Sequence, residues 1–313
     1  MQNASSTGFR PEILEKVIHL LNLLNAIQGH PFLKDRLALK GGTALNLFLF
    51  DLPRLSVDID LNYVAAEDRQ AMLEERPKVE KALQDVCGRE GMAINRMPTD
   101  HAGGKWRLRY NSALSDGGNL EVDLNFMFRV PLWPITKSDS VRVGNHQAKV
   151  FPVLDLHELA AGKLAALFAR HASRDLFDAH RLLTQTDLDQ AKLRLGFVVY
   201  GGMNRKDWRT VHVDDIAYDA DELRDQLLPV VRQAALPGDG PHPWAQQLID
   251  ECREAVSLVL PLRENERQFL DNLLERGEIH PELLTDDPAM RDRIAKHPAV
   301  QWKAVNVRQH HGG

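Results

Sequence analysis

Asp58 and Asp60 are one residue apart in the run Ser56-Val57-Asp58-Ile59-Asp60-Leu61-Asn62-Tyr63, where polar and apolar side chains alternate. A period of two marks a strand with one buried face. Ser56, Asp58, Asp60 and Asn62 then share a polar face, and Val57, Ile59, Leu61 and Tyr63 face a core. Two carboxylates placed this way start roughly 6.6 Å apart at Cα and can converge on divalent ions, and their hard oxygen ligands suit Mg²⁺. Just upstream, Leu37-Ala38-Leu39 runs into Lys40-Gly41-Gly42-Thr43, followed by Ala44, Leu45, Leu47, Phe48 and Leu49, which suit a buried helix. A glycine pair at such a junction lets backbone N–H groups approach a ligand, and a helix N-terminus favours an anion, so the junction reads as a phosphate seat. Taken alone, Asp-x-Asp also fits a solvated strand face or a Ca²⁺ loop. The glycine turn at this spacing favours catalysis.

The wording Lys40-Gly41-Gly42-Thr43-Ala44-Leu45, then Arg54-x-Ser56-x-Asp58-x-Asp60, resembles the AbiEii/AbiGii nucleotidyltransferase-like toxin family. That family includes the MenT-type toxins and falls in the DNA polymerase β nucleotidyltransferase superfamily. Lys163-Leu-Ala-Ala-Leu-x-x-Arg170 followed by Arg174-Asp175-Leu-Phe-Asp178 resembles its downstream motif. The resemblance implies Mg²⁺ on Asp58, Asp60 and a third acidic residue of a neighbouring strand. It implies a nucleoside triphosphate co-substrate held by Gly42, Thr43, Ser56 and Lys163, with Lys163 and Asp175 acting at the nucleotide site. It also implies a toxin of a bacterial toxin–antitoxin pair with a cognate antitoxin protein, and RNA, in particular the tRNA 3′ end, as acceptor.

From Met92 to Phe151 the chain switches to strand-like alternation. Trp106, Leu108 and Tyr110 oppose Lys105, Arg107 and Arg109, while Leu120, Val122, Leu124 and Phe126 oppose Glu121, Asp123 and Asn125. These read as antiparallel strands joined by the turn residues Asp116-Gly117-Gly118-Asn119, which puts Asp123 on a face that can be shared with Asp58 and Asp60. Asp123 is the position that resembles the family's third acid, and Glu121 is its rival on the same face. Lys105, Arg107 and Arg109 either contact phosphate or are solvated.

Lys163 lies inside an apolar stripe. Asp155 suits an N-cap, and Leu156, Leu159, Ala160, Leu164, Leu167 and Phe168 line one side of a helix ending at Arg170. Lys163 sits near the centre of that side, where an unpaired ammonium costs several kcal/mol. Either its stem snorkels to water or an anion meets it. In the next helix, Arg174 to Leu183, Asp175 falls near the arc of Leu176, Ala179 and Leu182 and is a candidate partner. Asp178 is placed with Arg174 and Arg181 on the opposite side and is held in reserve.

Composition bounds the rest. The chain has 313 residues, 43% hydrophobic and 6% aromatic, enough for a substantial core and two domains. A net charge of -5 argues against a protein that coats polyanions. Between His101 and Val150, however, seven Lys or Arg face four Asp or Glu, whereas from Val211 to Gly240 two face seven. Cys87 and Cys252 are too few for a disulfide framework and too far apart for a zinc motif, which fits a reducing, cytoplasmic setting. No apolar run approaches the roughly 18 residues that span a bilayer, so no membrane partner is expected. Helices are expected at Pro11 to Gln28 and from Ala66 to Arg89. Beyond Thr184 the chain reads as helical and irregular, with a glycine turn at Gly201-Gly202 and a loop from Pro237 to Pro243.

The expected fold is α/β: a polymerase β-like nucleotidyltransferase core with a mixed sheet over residues 1–153, then a helical C-terminal domain over 154–313 that contributes Lys163 and Asp175. The expected function is Mg²⁺-dependent nucleotidyl transfer to RNA. The alternatives are AMPylation-type modification of a protein hydroxyl and a non-catalytic nucleotide-binding module.

Overall fold

The computed structural model describes residues 8–98, 102–236, 238 and 240–311. They fall into two compact units. One is drawn from Met1–Arg129, Pro134–Leu154 and Pro229–Leu236, the other from Val130–Trp133, Asp155–Leu228 and Pro237–Gly313.

The first unit is built on a seven-stranded mixed sheet. Its strands are β1 (Leu37–Lys40), β2 (Asp58–Tyr63), β3 (Ala93–Arg96), β4 (Gly103–Tyr110), β5 (Gly118–Asn125), β6 (Thr136–Ser138) and β7 (Phe151–Val153), in the order β3-β4-β5-β2-β1-β7-β6. β2 lies between β1, antiparallel to it, and β5, parallel to it. A parallel neighbour requires a crossover, which the helix α3 (Arg69–Arg89) and the β3–β4 hairpin supply. Ile59, Leu61 and Tyr63 are buried, as the alternation predicts. The first helix, α1 (Pro11–Gly29), packs on β5 and β7 and against α3. Asp68 caps α3 by accepting from Ala71 N at 2.9 Å, so the helix starts three residues later than the sequence suggests. Tyr63 Oη donates to Glu75 of α3 at 2.8 Å, which ties the end of β2 to this layer. Residues 229–236 return to the sheet unit through backbone hydrogen bonds: Leu55 N donates to Val230 O and Gln233 N to Gly8 O.

One expectation in this unit needs correction. The segment after Gly41-Gly42 is not an ordinary buried helix. One short turn, α2 (Gly41–Ala44), widens into a π turn over Leu45–Leu49, and Leu49 is exposed. The expected β4–β5 hairpin is present, with Asp116 and Gly117 in its connection and Gly118 and Asn119 opening β5. Tyr110 pairs with Gly118, so seven residues loop between the strands. Gly118 belongs to β5 because the Tyr110 ring fills the place of its Cβ, which would come 2.0 Å from Tyr110 Cζ.

The second unit is helical: α4 (Leu156–Arg170), α5 (Ser173–Gln185), α6 (Gln190–Gly202), α7 (Pro241–Ala255), α8 (Glu264–Asp271), α9 (Pro288–Lys296) and α10 (Pro298–His311), joined by shorter turns. α4 packs on α5 and α6, and α5 packs on α7. Asp155 caps α4, accepting from His157 N at 2.8 Å. Glu158 holds Val130–Trp133 to this unit by accepting from Leu132 N at 3.0 Å and from Tyr200 Oη at 2.9 Å. A buried bidentate pair, Arg194 with Glu266 at 2.8 and 2.6 Å, fastens α6 to α8. Gly201-Gly202 is not a turn but the end of α6. Trp208 presses so close that a Cβ on Gly201 would lie 2.0 Å from its Nε1. His310 lies in the last turn of α10. Pro237 and Asp239, within the proline-glycine loop read from sequence, lie outside the described residues, and α7 starts at Pro241. Among the described residues no helix is long and apolar enough to cross a membrane.

Candidate active site

Register aligns the acidic residues of the sheet unit. Asp60 pairs with Asp123 across the parallel β2–β5 ladder, and Asp58 pairs with Glu121. On either side, Lys40 pairs with Asp60 and Lys105 with Asp123. Directly paired residues of neighbouring strands point to the same face about 5 Å apart. One row therefore reads Lys40, Asp60, Asp123, Lys105, with Asp58, Glu121 and Arg107 forming the next. Asp58, Asp60, Glu121 and Asp123 are all half-buried, set in the sheet but open on one side.

The glycine turn closes on this row. Gly41 has φ +70°, and a Cβ there would come within 2.1 Å of Asp60 Oδ2, so both conformation and space demand glycine. Gly42 follows in the turn, half-buried. Thr43 is fully buried, and its hydroxyl donates to the Asp58 carbonyl at 2.5 Å. That hydroxyl therefore positions the start of β2. Ser56 is buried two residues before Asp58. Asn62, at the far end of the same strand face, is buried with neither amide atom hydrogen-bonded among the described residues.

Glu121 and Asp123 differ in what surrounds them. Glu121 binds Lys105 at 2.9 Å and Arg107 at 3.2 Å. The hydrogen bond from Lys105 holds the Glu121 carboxyl below its usual range and raises Lys105 in turn. No ion pair engages Asp123 among the described residues. Of the two rivals, Asp123 keeps its oxygens available for a ligand. The same contacts reduce the basic fringe, since Lys105 and Arg107 share Glu121 and Arg109 donates to Asp116 O at 3.0 Å.

Among the described residues, no three His, Cys, Asp or Glu side chains already form a metal cage. The donor set nonetheless fits Mg²⁺. That ion keeps several waters and commonly takes only one or two carboxylates, with substrate phosphates completing its shell. Asp60 and Asp123, adjacent in register, and Asp58 on the same face offer hard oxygens of that kind.

In the helical unit, Lys163 is 8% exposed and does not snorkel. Its Nζ meets Asp175 at 2.7 Å and Asp178 at 3.0 Å, and Arg170 reaches the other oxygen of Asp175 at 2.6 Å. Asp175 and Asp178 are themselves buried. Burial pushes the Asp175 carboxyl up, but Lys163 and Arg170 outweigh it and leave the group below its usual range. The assignment of Asp178 to the opposite side is thereby corrected: three residues along a helix turn it only 60° from Asp175, so both flank the lysine.

Sequence reasoning overlooked Lys40, although a lysine immediately before the glycine pair is plain in the sequence. Only the register shows that it borders Asp60.

The chain matches the model of the nucleotidyl transferase AbiEii toxin family, a type IV toxin–antitoxin system, over residues 22–305. Its fold is similar to that of MenT4, a nucleotidyltransferase toxin from Mycobacterium tuberculosis H37Rv. The TM-score is 0.63 at 18% identity, over 96% of this chain and 98% of the other. No curated protein matches it in sequence.

Proposed function

Because the chain belongs to the AbiEii family of nucleotidyltransferase toxins, we propose that it transfers a nucleotide from a nucleoside triphosphate to an RNA hydroxyl, the tRNA 3′ end being the expected acceptor. Membership makes it a nucleotidyltransferase of a toxin–antitoxin system, with a nucleoside triphosphate as co-substrate and an antitoxin as partner. The observation that carries the finer reading is the Asp60–Asp123 register pair, with Asp58 on the same strand face and Gly41 closed against Asp60.

In this reading Asp58, Asp60 and Asp123 hold Mg²⁺, which when bound supplies charge neutralisation at the phosphates and acidifies the attacking hydroxyl. The turn at Gly42 and Thr43 offers backbone donors to the triphosphate, and Ser56, two residues before Asp58, is the further residue assigned to the nucleotide. The acceptor oxygen forms a bond to the α-phosphorus as the bond to the bridging oxygen breaks. The electron pair leaves with pyrophosphate, and the acceptor proton passes to Asp123 or to water. Lys163 and Asp175 enter the reading through the downstream motif to which they belong. Sites on the sheet are rigid, which favours in-line geometry.

The test is incubation with each α-labelled nucleoside triphosphate, Mg²⁺ and either total RNA or cell protein. Label on RNA, concentrated at tRNA size, is expected. Label only on a protein hydroxyl would replace the acceptor with that of an AMPylation-type enzyme, and no transfer with any nucleotide would reduce the site to a binding module.

A further inference from the structure

Lys40 and Lys105 bracket the same row of carboxylates, yet their ammonium groups are treated differently. Lys105 is bound to Glu121 at 2.9 Å. Lys40, half-buried and the register partner of Asp60, is ion-paired to nothing among the described residues, and its Nζ rests 5.5 Å from the centroid of the Phe128 ring. A lysine stem is long enough to reach a carboxylate on the neighbouring strand about 5 Å away. The ring is itself anchored, because Asn125 Oδ1 accepts from Met127 N at 2.8 Å and Phe128 N at 3.0 Å, immediately after the strand that carries Asp123. A cation beside a ring gains less than it does from a charge-assisted bond to phosphate. Phe128 thus orients the ammonium without consuming it.

We propose that Lys40 binds the β- and γ-phosphates of the nucleotide and takes up the charge that develops on the departing pyrophosphate. This rests on the nucleotidyl-transfer reading above and assigns the phosphate end of its co-substrate to one side chain. The chemistry assigns each charge a place. Carboxylates at Asp58, Asp60 and Asp123 serve the metal, and the single unpaired ammonium of the row serves the anion that the metal does not fully neutralise. When the bond from the α-phosphorus to its bridging oxygen breaks, the electron pair goes to that oxygen on the β-phosphate, within the group that Lys40 holds.

The experiment compares binding of α,β-methylene analogues of the four nucleoside triphosphates, and of the matching monophosphates, to wild type, Lys40→Met and Lys40→Arg by titration calorimetry with Mg²⁺. Methionine keeps an unbranched stem over Phe128, and the fold of each variant is checked by thermal melting. Lys40→Met is expected to weaken triphosphate binding about tenfold, as loss of one charge-assisted bond implies, to leave monophosphate binding unchanged, and to be partly rescued by Lys40→Arg. Triphosphate affinity equal to wild type, or equal loss for mono- and triphosphate, overturns the role of Lys40 while leaving nucleotidyl transfer standing. A wild-type protein that binds no triphosphate overturns both. If Lys40→Met does not fold, Lys40→Gln carries the same comparison.

Discussion

Asp60 and Asp123 are register partners on adjacent parallel strands, although 63 positions separate them in sequence. The pairing turns two isolated carboxylates into one rigid feature of the sheet, flanked by Lys40 and Lys105.

Gly41 is the tightest contact to that feature. With φ +70° and Asp60 Oδ2 in the place of a Cβ, Gly41→Ala should cost on the order of 1–3 kcal/mol in stability and displace the Asp60 carboxylate. Denaturant midpoints and transfer rates of the variant should both fall. An alanine variant with wild-type values of each would mean that the turn relaxes freely.

Lys163 holds two buried carboxylates at once. Lys163→Ala should therefore destabilise the protein by roughly 3–5 kcal/mol, because it leaves buried charge uncompensated. The double variant Lys163→Met, Asp178→Asn should recover much of that loss. If Lys163 also acts in the reaction, the folded double variant stays inactive; full activity would make the cluster purely structural. The depressed Asp175 carboxyl adds stability above the ordinary carboxylate range, and that contribution is lost as pH falls through its folded value. Asp175→Asn should therefore flatten the acid limb of a stability profile.

Glu158 has the opposite sign. Burial pushes its carboxyl from 4.5 up to about 7, against the hydrogen bonds from Tyr200, Leu132 and Trp133. Between those values the folded chain keeps a proton that the unfolded chain releases, so its contribution to stability declines as pH rises through that window and levels off above it. Glu158→Gln should remove the slope. Melting temperatures of both proteins across that range check it, and parallel profiles would argue against the buried acid.

The sequence made the local pattern legible. Alternation placed Asp58 and Asp60 on the open face of a strand, and the apolar stripe of α4 offered snorkelling or an anion for Lys163, of which the structure has the anion. What it left open depends on register and packing. That Glu121 is taken by Lys105 and Arg107 while Asp123 is not follows from which strand lies beside which, and a single sequence carries no such pairing. The return of residues 229–236 to the sheet unit is equally non-local, resting on backbone bonds such as Leu55 N to Val230 O. Asp178 was within reach of the periodicity argument, since a 60° turn from Asp175 already placed it near Lys163.

The most direct test of the site sets Asp123→Asn against Glu121→Gln in one labelled-nucleotide transfer assay, with Asp60→Asn alongside. The register and ion pairs predict that Asp60→Asn and Asp123→Asn each lose on the order of a hundredfold or more in rate, while Glu121→Gln stays within a few-fold of wild type. Wild-type transfer by Asp123→Asn, with loss confined to Glu121→Gln, would contradict the assignment of Asp123 as the third carboxylate.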